Sequence, residues 1–303
     1  MIKKTKAYQA AKIAYHWLRA CWSTDSVLWL ENRHTSRCSS INDDTDYMFS
    51  IFNSYTHHYE QCTGNNLAGK TILDIGPGIS LAVPLMLKDS GSRMVYAIEP
   101  FLPKFAPKYH ALLYKSIRDR IRLNSPDAVV DSLDYCIHHN THIAQQIRIH
   151  RCKLEEAYNI QDGIIDVSFS NATLEHIADP ISAFNHLFRV TSRCGYGLHL
   201  VDFRDHADSE NPLGFLLFDK QRQREYMEMR HNFAMGNGRR YSEYIELFKS
   251  VGFEIVSVEP TLFAEDDYMK GFLPKLRSSN SPHKDWPEED LRVLSAHFIV
   301  RKN

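Results

Sequence analysis

Apolar residues recur in two alternating patterns along most of this chain. Short apolar runs of strand length alternate with segments whose apolar positions repeat every three to four residues, the period of a helix. The strand-like runs are 71–75, 94–98, 147–152, 164–169, 196–202, 253–258 and 296–301. Helices are predicted over 81–88, 104–121, 181–191 and 242–250, the last with Ser242 as its N-cap. The alternation predicts an α/β fold with a Rossmann-like, mostly parallel seven-stranded sheet and helices on both faces.

The segment before the first strand has a different pattern. Residues 5–31 and 46–62 have apolar faces at helical spacing and are separated by a polar stretch. We therefore predict an N-terminal helical extension over 1–66 that acts as a lid on the acceptor, followed by a domain over 67–303. The alternation fails within that domain at about 122–145 and at 203–240, which are predicted to be insertions. The Pro- and Ser-rich stretch before the last strand is predicted to be a loop.

Composition narrows the possible functions. The 303 residues are 43% hydrophobic and 24% charged, and the net charge of −1 gives no general attraction to nucleic acid or to an anionic membrane. No apolar run approaches the roughly 20 residues that span a bilayer. A signal peptide needs a continuous apolar run near the N-terminus, and polar residues interrupt such a run here. A cytoplasmic location is therefore expected. The six cysteines are scattered and no metal-ligand spacing of histidines appears, so no metal site is predicted.

The candidate chemistry begins at the first strand. The run Thr71-Ile72-Leu73-Asp74-Ile75-Gly76-Pro77-Gly78-Ile79-Ser80 joins a strand to a helix through a Gly-x-Gly turn. A second strand then ends at Glu99, which lies 21 residues after Gly78. This order is typical of the first half of a nucleotide-binding βαβ unit, whose ligand lies at the carboxyl ends of the strands.

Two classes of ligand compete for such a turn. A dinucleotide fold has a third glycine for close packing of helix and strand, but that position is Leu81 here. S-adenosylmethionine (SAM) carries an ammonium group instead of a pyrophosphate, and Asp74 before the turn would suit that cation. An acid such as Glu99 binds ribose hydroxyls in both classes. The combination favours SAM, while a NAD-dependent oxidoreductase and a plain tight turn remain alternatives.

A second motif narrows the class of protein. The segment Asp166-Val167-Ser168-Phe169-Ser170-Asn171-Ala172-Thr173-Leu174-Glu175-His176-Ile177-Ala178-Asp179-Pro180 follows the fourth strand. It resembles the corresponding segment of class I SAM-dependent methyltransferases, and with the glycine turn the resemblance covers roughly residues 67–260. The runs 69–82, 202–206 and 237–241 are also similar to bacterial methyltransferases of glycans and small molecules. The third glycine of that family's first motif is replaced by Ser80.

The resemblance implies roles for individual residues. Asp74, Gly76, Pro77, Gly78 and Ser80 would border the amino-acid tail of SAM. Glu99 would hold the ribose, residues 153–155 with Leu154 at their centre would lie beside the adenine, and Asn171 and Ala172 would lie under the cofactor.

The acceptor chemistry is expected at the same edge of the sheet. Transfer of a methyl group to a hydroxyl requires alignment and a base. Our hypothesis is that His176 is the base and Asp202 its partner, with His206 as an alternative base; a purely structural role for His176 is the competing interpretation. Arginines and aromatic residues alternate over 220–240, including Arg239 and Arg240. They would suit a phosphate or carboxylate on the acceptor, although a solvated helix is the simpler interpretation.

The sequence therefore favours a SAM-dependent methyltransferase that acts on a small-molecule or glycan acceptor, most readily at oxygen. A nucleic-acid methyltransferase is one alternative, but Asn171-Ala172-Thr173-Leu174 lacks the Pro-Pro-aromatic motif of amino methylation. A non-catalytic subunit that binds SAM is the other. No nucleic-acid partner is expected.

Overall fold

The computed structural model describes residues 40–206, 208–229 and 237–303. The predicted helix over 5–31 lies outside these residues. The strands are β1 (Thr71–Ile75), β2 (Met94–Ile98), β3 (Ile147–His150), β4 (Ile165–Asn171), β5 (Thr191–Asp202), β6 (Glu254–Phe263) and β7 (Val293–Arg301). The helices are α1 (Ile41–Thr63), α2 (Ala82–Asp89), α3 (Leu112–Asn124), α4 (Asp131–His139), α5 (Pro180–Val190), α6 (Lys220–Met229), α7 (Tyr241–Ser250), α8 (Asp266–Arg277) and α9 (Glu288–Leu291).

The strands form one sheet in the order β3-β2-β1-β4-β5-β7-β6. The first five strands in this order are parallel, and β7 is antiparallel to both β5 and β6. The predicted seven-stranded, mostly parallel sheet is confirmed. The strand order reverses between β1 and β4, so their carboxyl ends flank the crevice where open α/β sheets bind ligands.

Both faces of the sheet are covered. Every residue of β1 is buried, as expected for a parallel strand between two helical layers. Ile72 packs with α1, α2, α3 and α4 on one face, and Leu73 packs with α5 and α7 on the other. Because side chains alternate along a strand, Asp74 lies on the same face as Ile72, under α1.

Helix α1 begins five residues before the predicted start at residue 46. The hydroxyl of Ser40 caps it by accepting a hydrogen bond from the Asp43 amide at 3.2 Å, and Gly64 ends it with a φ of 68°. Among the described residues, no helix has both the length and the apolar character to cross a bilayer.

Two predictions of local structure were wrong, and a segment predicted to be an insertion contains a helix. The predicted insertion at 122–145 contains α4, whose first amides at Ser132 and Leu133 donate to the Asp89 carboxylate. The predicted loop before β7 contains α8 and α9, and Pro274 lies in the last turn of α8. Helix α7 has Arg240 and not Ser242 at its N-cap position, because the Ser242 hydroxyl instead donates to Asp290 at 2.9 Å.

Arg240 corrects the prediction that the basic residues of 220–240 face an acceptor. Its side chain is fully buried, and its guanidinium donates to the carbonyls of Phe203 at 3.0 Å, Leu291 at 3.0 Å and Val293 at 2.6 Å. Burial lowers the pKa of Arg240 to about 10, so it still carries its charge at neutral pH. The residue fastens the end of β5 to the segment that leads into β7.

We expect Arg240→Ala to lower the free energy of unfolding by about 3 kcal/mol, because three buried carbonyls would lose their partner. Its neighbour Arg239 is a matched control, since it is partly exposed and pairs with Glu243 at 3.3 Å. Arg239→Ala should cost less than about 1 kcal/mol. Urea denaturation of both variants measures the difference, and equal losses would contradict the assigned role of Arg240.

Candidate functional site

The glycine turn after β1 leaves room for a ligand. Gly76 and Gly78 have φ values of 73° and 80°, in the left-handed region that favours glycine. A Cβ atom on Gly76 would lie 2.4 Å from the Thr173 side chain, whereas one on Gly78 would have no neighbour within 4 Å. The backbone is therefore closely packed against the end of β4 at Gly76 and open at Gly78, with the partly buried Pro77 between them.

Glu99 is held at the same turn. Its carboxylate accepts hydrogen bonds from the amides of Gly78 and Phe101, both at 2.9 Å. Burial raises the pKa of Glu99, and these two amides oppose the rise. The carboxylate is thus fixed beside the open space at Gly78, where it can accept hydrogen bonds from ribose hydroxyls.

Asp74 is a buried carboxylate without a full set of partners. The Tyr55 hydroxyl donates to its Oδ1 at 3.4 Å, while its buried Oδ2 has no hydrogen-bond partner. Burial raises the pKa of Asp74 to about 7. A buried acceptor of this kind is stabilised by a cation, and the ammonium group of SAM supplies one. The residues present therefore fit the cofactor.

Helix α1 lies over these residues, which sequence reasoning did not foresee. Besides its bond to Asp74, Tyr55 stacks on Phe169 with a centroid distance of 4.3 Å. The Asn171 amide donates to the Tyr47 hydroxyl at 3.2 Å. The sequence feature that could have indicated these contacts is the pair Tyr47 and Tyr55, which lie eight residues apart on one face of α1. Helix α1 of the N-terminal extension thus contacts residues that were predicted to border the cofactor, whereas the extension was predicted to cover the acceptor.

A buried polar network fixes the loop that follows Gly78. His110 accepts a hydrogen bond from the Ala106 amide at Nδ1, so its Nε2 carries the proton and donates to the Ile79 carbonyl at 2.8 Å. The Tyr114 hydroxyl accepts from the Leu81 amide at 3.0 Å. Ser80, between these two anchors, is buried, with its hydroxyl 4.0 Å from the Met48 sulfur. Nothing in the local sequence identified His110 or Tyr114.

The remaining predicted cofactor residues lie at the ends of β3 and β4. Ala172 has an unusual φ of 48°, which turns the chain sharply after Asn171. Both are partly buried at the edge that faces the glycine turn. Leu154 is 3% exposed, and its side chain packs in the apolar core with Leu73 and Ile98.

The three predicted catalytic residues lie close together, but their pairing differs from the hypothesis. Asp202, at the end of β5, accepts hydrogen bonds from Arg204 and lies 3.3 Å from Nε2 of His206. His176 lies 4.0 Å from the Glu175 carboxylate, and its ring packs edge-on against His206 at 5.0 Å. The imidazole that contacts Asp202 is therefore that of His206.

The electrostatics of Asp202 suit an orienting role. Burial disfavours its charge, but the nearby His206 imidazole and the hydrogen bonds from Arg204 outweigh that effect and hold the pKa of Asp202 well below its usual range. A carboxylate that stays ionised can fix the tautomer of a neighbouring imidazole.

Glu175, His176 and His206 also form a group of potential metal ligands. Each offers one ligand atom, and these atoms all lie within 4.8 Å of one another. The sequence predicted no metal site because the residues come from two segments 30 positions apart, and only the fold brings them together.

Three further basic residues of 220–240 are at the surface of α6. Lys220, Arg222 and Arg224 are exposed, and the Arg222 guanidinium lies 4.3 Å from the centre of the Phe218 ring. The side-chain amide of Asn237 donates to the carbonyls of Leu174 and Ile177. These bonds fasten the end of the insertion to the turn that carries His176.

Comparisons with known proteins agree with this geometry. A family model described as a methyltransferase domain matches residues 48–258. No curated protein sequence matches the chain.

The chain is also similar to solved structures at low sequence identity. A SAM-dependent methyltransferase from Mesorhizobium loti is 13% identical, with a TM-score of 0.47 over 84% of this chain and 100% of that one. A second, from Methanosarcina mazei, is 16% identical, with a TM-score of 0.46 over 81% and 95%. Phosphoethanolamine N-methyltransferase 2 from Haemonchus contortus, in complex with phosphomonomethylethanolamine and S-adenosylhomocysteine, is 15% identical, with a TM-score of 0.49 over 95% and 60%.

The glycine turn, Asp74 near the end of β1, Glu99 directly after β2 and the family match over 48–258 lead to one conclusion. The chain belongs to the methyltransferase-domain family and is a SAM-dependent methyltransferase.

Proposed function

We propose that this enzyme transfers the methyl group of SAM to a hydroxyl oxygen of a small-molecule or glycan acceptor. The observation that carries the proposal is the contact between Asp202 and His206 at the carboxyl edge of the sheet. A hydroxyl is a poor nucleophile until its proton is removed, and an imidazole oriented by a carboxylate is suited to remove it.

The cofactor, when bound, supplies an electrophilic methyl group on a sulfonium. Asp74 holds its ammonium group, because the buried Oδ2 atom otherwise has no hydrogen-bond partner. Glu99 accepts hydrogen bonds from its ribose while the Gly78 and Phe101 amides keep the carboxylate in place. These contacts fix the direction of the methyl group, and alignment supplies much of the rate of such a displacement.

His206 takes the proton of the acceptor. With Asp202 near Nε2, the proton-bearing nitrogen faces the carboxylate and the lone pair of Nδ1 is available. His206 removes the hydroxyl proton as the acceptor oxygen forms its bond to the methyl carbon and the carbon–sulfur bond breaks, leaving its electron pair on sulfur. In this proposal His176 lines the acceptor site beside His206 and is not the base.

The basic surface of α6 favours an acceptor that carries an anionic group. Lys220, Arg222 and Arg224 are exposed without a nearby excess of acid, and guanidinium groups bind phosphate or carboxylate oxygens well. A sugar phosphate or a uronic acid would combine such an anion with hydroxyl nucleophiles. The net charge of −1 gives no support to a nucleic-acid acceptor.

An assay with methyl-labelled SAM tests the proposal. The purified enzyme is offered sugars, sugar phosphates, uronic acids and phenols in parallel with amines and with transfer RNA. We expect label in a methyl ether of a hydroxyl acceptor, identified by mass spectrometry after hydrolysis. Label found only in amines or RNA would overturn the proposal. Calorimetric binding of SAM without transfer to any member of the panel would favour a non-catalytic subunit instead.

A further inference from the structure

The group formed by Glu175, His176 and His206 has features beyond those of a proton-transfer site. The Glu175 side chain is 5% exposed, that of His176 is 21% exposed and that of His206 is 14% exposed. Their ligand atoms lie within 4.8 Å of one another. Ligands of a tetrahedral ion with bonds of about 2.1 Å are separated by roughly 3.4 Å, so rotations of the two partly exposed imidazoles would bring the set into range.

Asp202 supplies the partner that metal-binding histidines usually have. An imidazole that binds a metal through one nitrogen commonly donates its other N–H to a carboxylate, which fixes the tautomer. His206 has Nε2 3.3 Å from Asp202, and this leaves Nδ1 as the atom with a lone pair. The carboxylate is in turn held by Arg204 at 2.7 Å, so the orientation is supported from behind.

The ligand types select a class of ion. Two imidazoles and one carboxylate are the protein ligands of many zinc sites that keep a fourth position open. Mg²⁺ prefers six oxygen ligands and retains its water, so a set with two nitrogens disfavours it. The set therefore fits a divalent transition-metal ion.

We propose that Glu175, His176 and His206 bind a divalent transition-metal ion such as Zn²⁺, and that the bound ion inhibits methyl transfer. The inhibition rests on the proposed function, in which the lone pair on Nδ1 of His206 accepts the proton of the acceptor. That same lone pair would bind the ion, so metal binding and proton removal exclude each other. Asp74 and Glu99 are not in the group, so cofactor binding should be unaffected.

Metal binding is measured first, without reference to activity. The full chain, freed of metal and saturated with S-adenosylhomocysteine, is titrated calorimetrically with ZnCl₂ and with MgCl₂, and CoCl₂ is added to record a visible absorption band. We expect one high-affinity Zn²⁺ ion per chain, a Co²⁺ band and no Mg²⁺ binding. Absence of tight Zn²⁺ binding to this folded, ligand-saturated protein would overturn the proposal.

Variants then locate the ion. Glu175→Gln and His206→Asn should each weaken Zn²⁺ binding at least tenfold and remove the Co²⁺ band. His139→Ala is the matched control, because His139 is exposed on α4 next to His138 and should not change the binding. Binding of S-adenosylhomocysteine shows that each variant is folded. If one of the two ligand variants does not fold, the other is enough to locate the ion. Unchanged Zn²⁺ affinity in a folded ligand variant, or loss in His139→Ala, would place the ion elsewhere.

Activity gives the second readout. Zn²⁺ should inhibit methyl transfer competitively with the acceptor and not with SAM, and a chelator should restore the rate. Stimulation by Zn²⁺ would overturn the inhibitory role. If the enzyme methylates no acceptor in the panel, the proposed function fails while the calorimetric and spectroscopic results still decide whether the ion binds.

Discussion

His206→Ala is expected to lower kcat by about 10³-fold while changing the affinity for SAM by less than about twofold. The reason is that His206 lies 3.3 Å from the Asp202 carboxylate and is the group that we propose accepts the proton of a hydroxyl. Single-turnover measurements with labelled SAM, combined with calorimetry for cofactor affinity, separate the chemical step from binding.

His176→Ala is the matched comparison for this prediction. Its ring packs edge-on against His206 at 5.0 Å, and in the proposed step it lines the acceptor site without taking the proton, so its removal should lower kcat by less than about tenfold. Asp202→Asn should lower kcat about as much as His206→Ala, because the amide would no longer fix the imidazole tautomer. A larger loss in His176→Ala than in His206→Ala would restore the original hypothesis that His176 is the base.

Asp74→Asn is expected to weaken binding of S-adenosylhomocysteine by about 100-fold and to remove much of its pH dependence. Burial raises the pKa of Asp74 to about 7, so the carboxyl is protonated in much of the free protein below that pH. Binding of the ligand's ammonium group favours the ionised form and releases this proton. The affinity of the native protein should therefore fall as pH drops below 7, by up to about tenfold per pH unit.

Calorimetry between pH 6 and pH 8 measures this effect, and buffers of different ionisation enthalpy report the released proton. Methylthioadenosine, which has the adenosine but not the amino-acid tail, is the control ligand. It should show little of this pH dependence, because its ribose would bind Glu99 and it has no ammonium group to bind Asp74. Equal pH profiles for the two ligands would contradict the role of Asp74.

The same substitution should have the opposite effect on stability without ligand. An acid whose pKa is raised by folding lowers the stability of the native state as pH rises from the unfolded pKa to the folded pKa, and the full loss is present above the folded pKa. At pH 8 the charged, buried Asp74 therefore costs up to about 4 kcal/mol, and Asp74→Asn should raise the thermal midpoint. Loss of affinity together with a gain in stability would identify a binding residue, whereas loss of both would indicate a structural one.

Much of the cofactor half of the site could be predicted from the sequence. The turn at Gly76 and Gly78 is encoded locally, because left-handed backbone and close approach to Thr173 both require glycine. Glu99 could be located as well, since parallel strands end at one edge of the sheet and the acid follows β2 directly. The sheet itself followed from apolar runs of strand length, although the bounds of β5, β6 and β7 extended beyond them.

Local sequence was enough to predict the order of the strands, the glycine turn and the two acids, because these depend on neighbours within a few positions. The folded chain was needed to show that His206 lies beside Asp202, that Tyr55 bonds to Asp74 and that Arg240 is buried. Contacts such as that between His176 and His206 join segments tens of residues apart, and the path of the intervening loops sets their geometry. The periodicity of the local sequence gives no information about that path. The acceptor side of the site could therefore be described only from the folded structure.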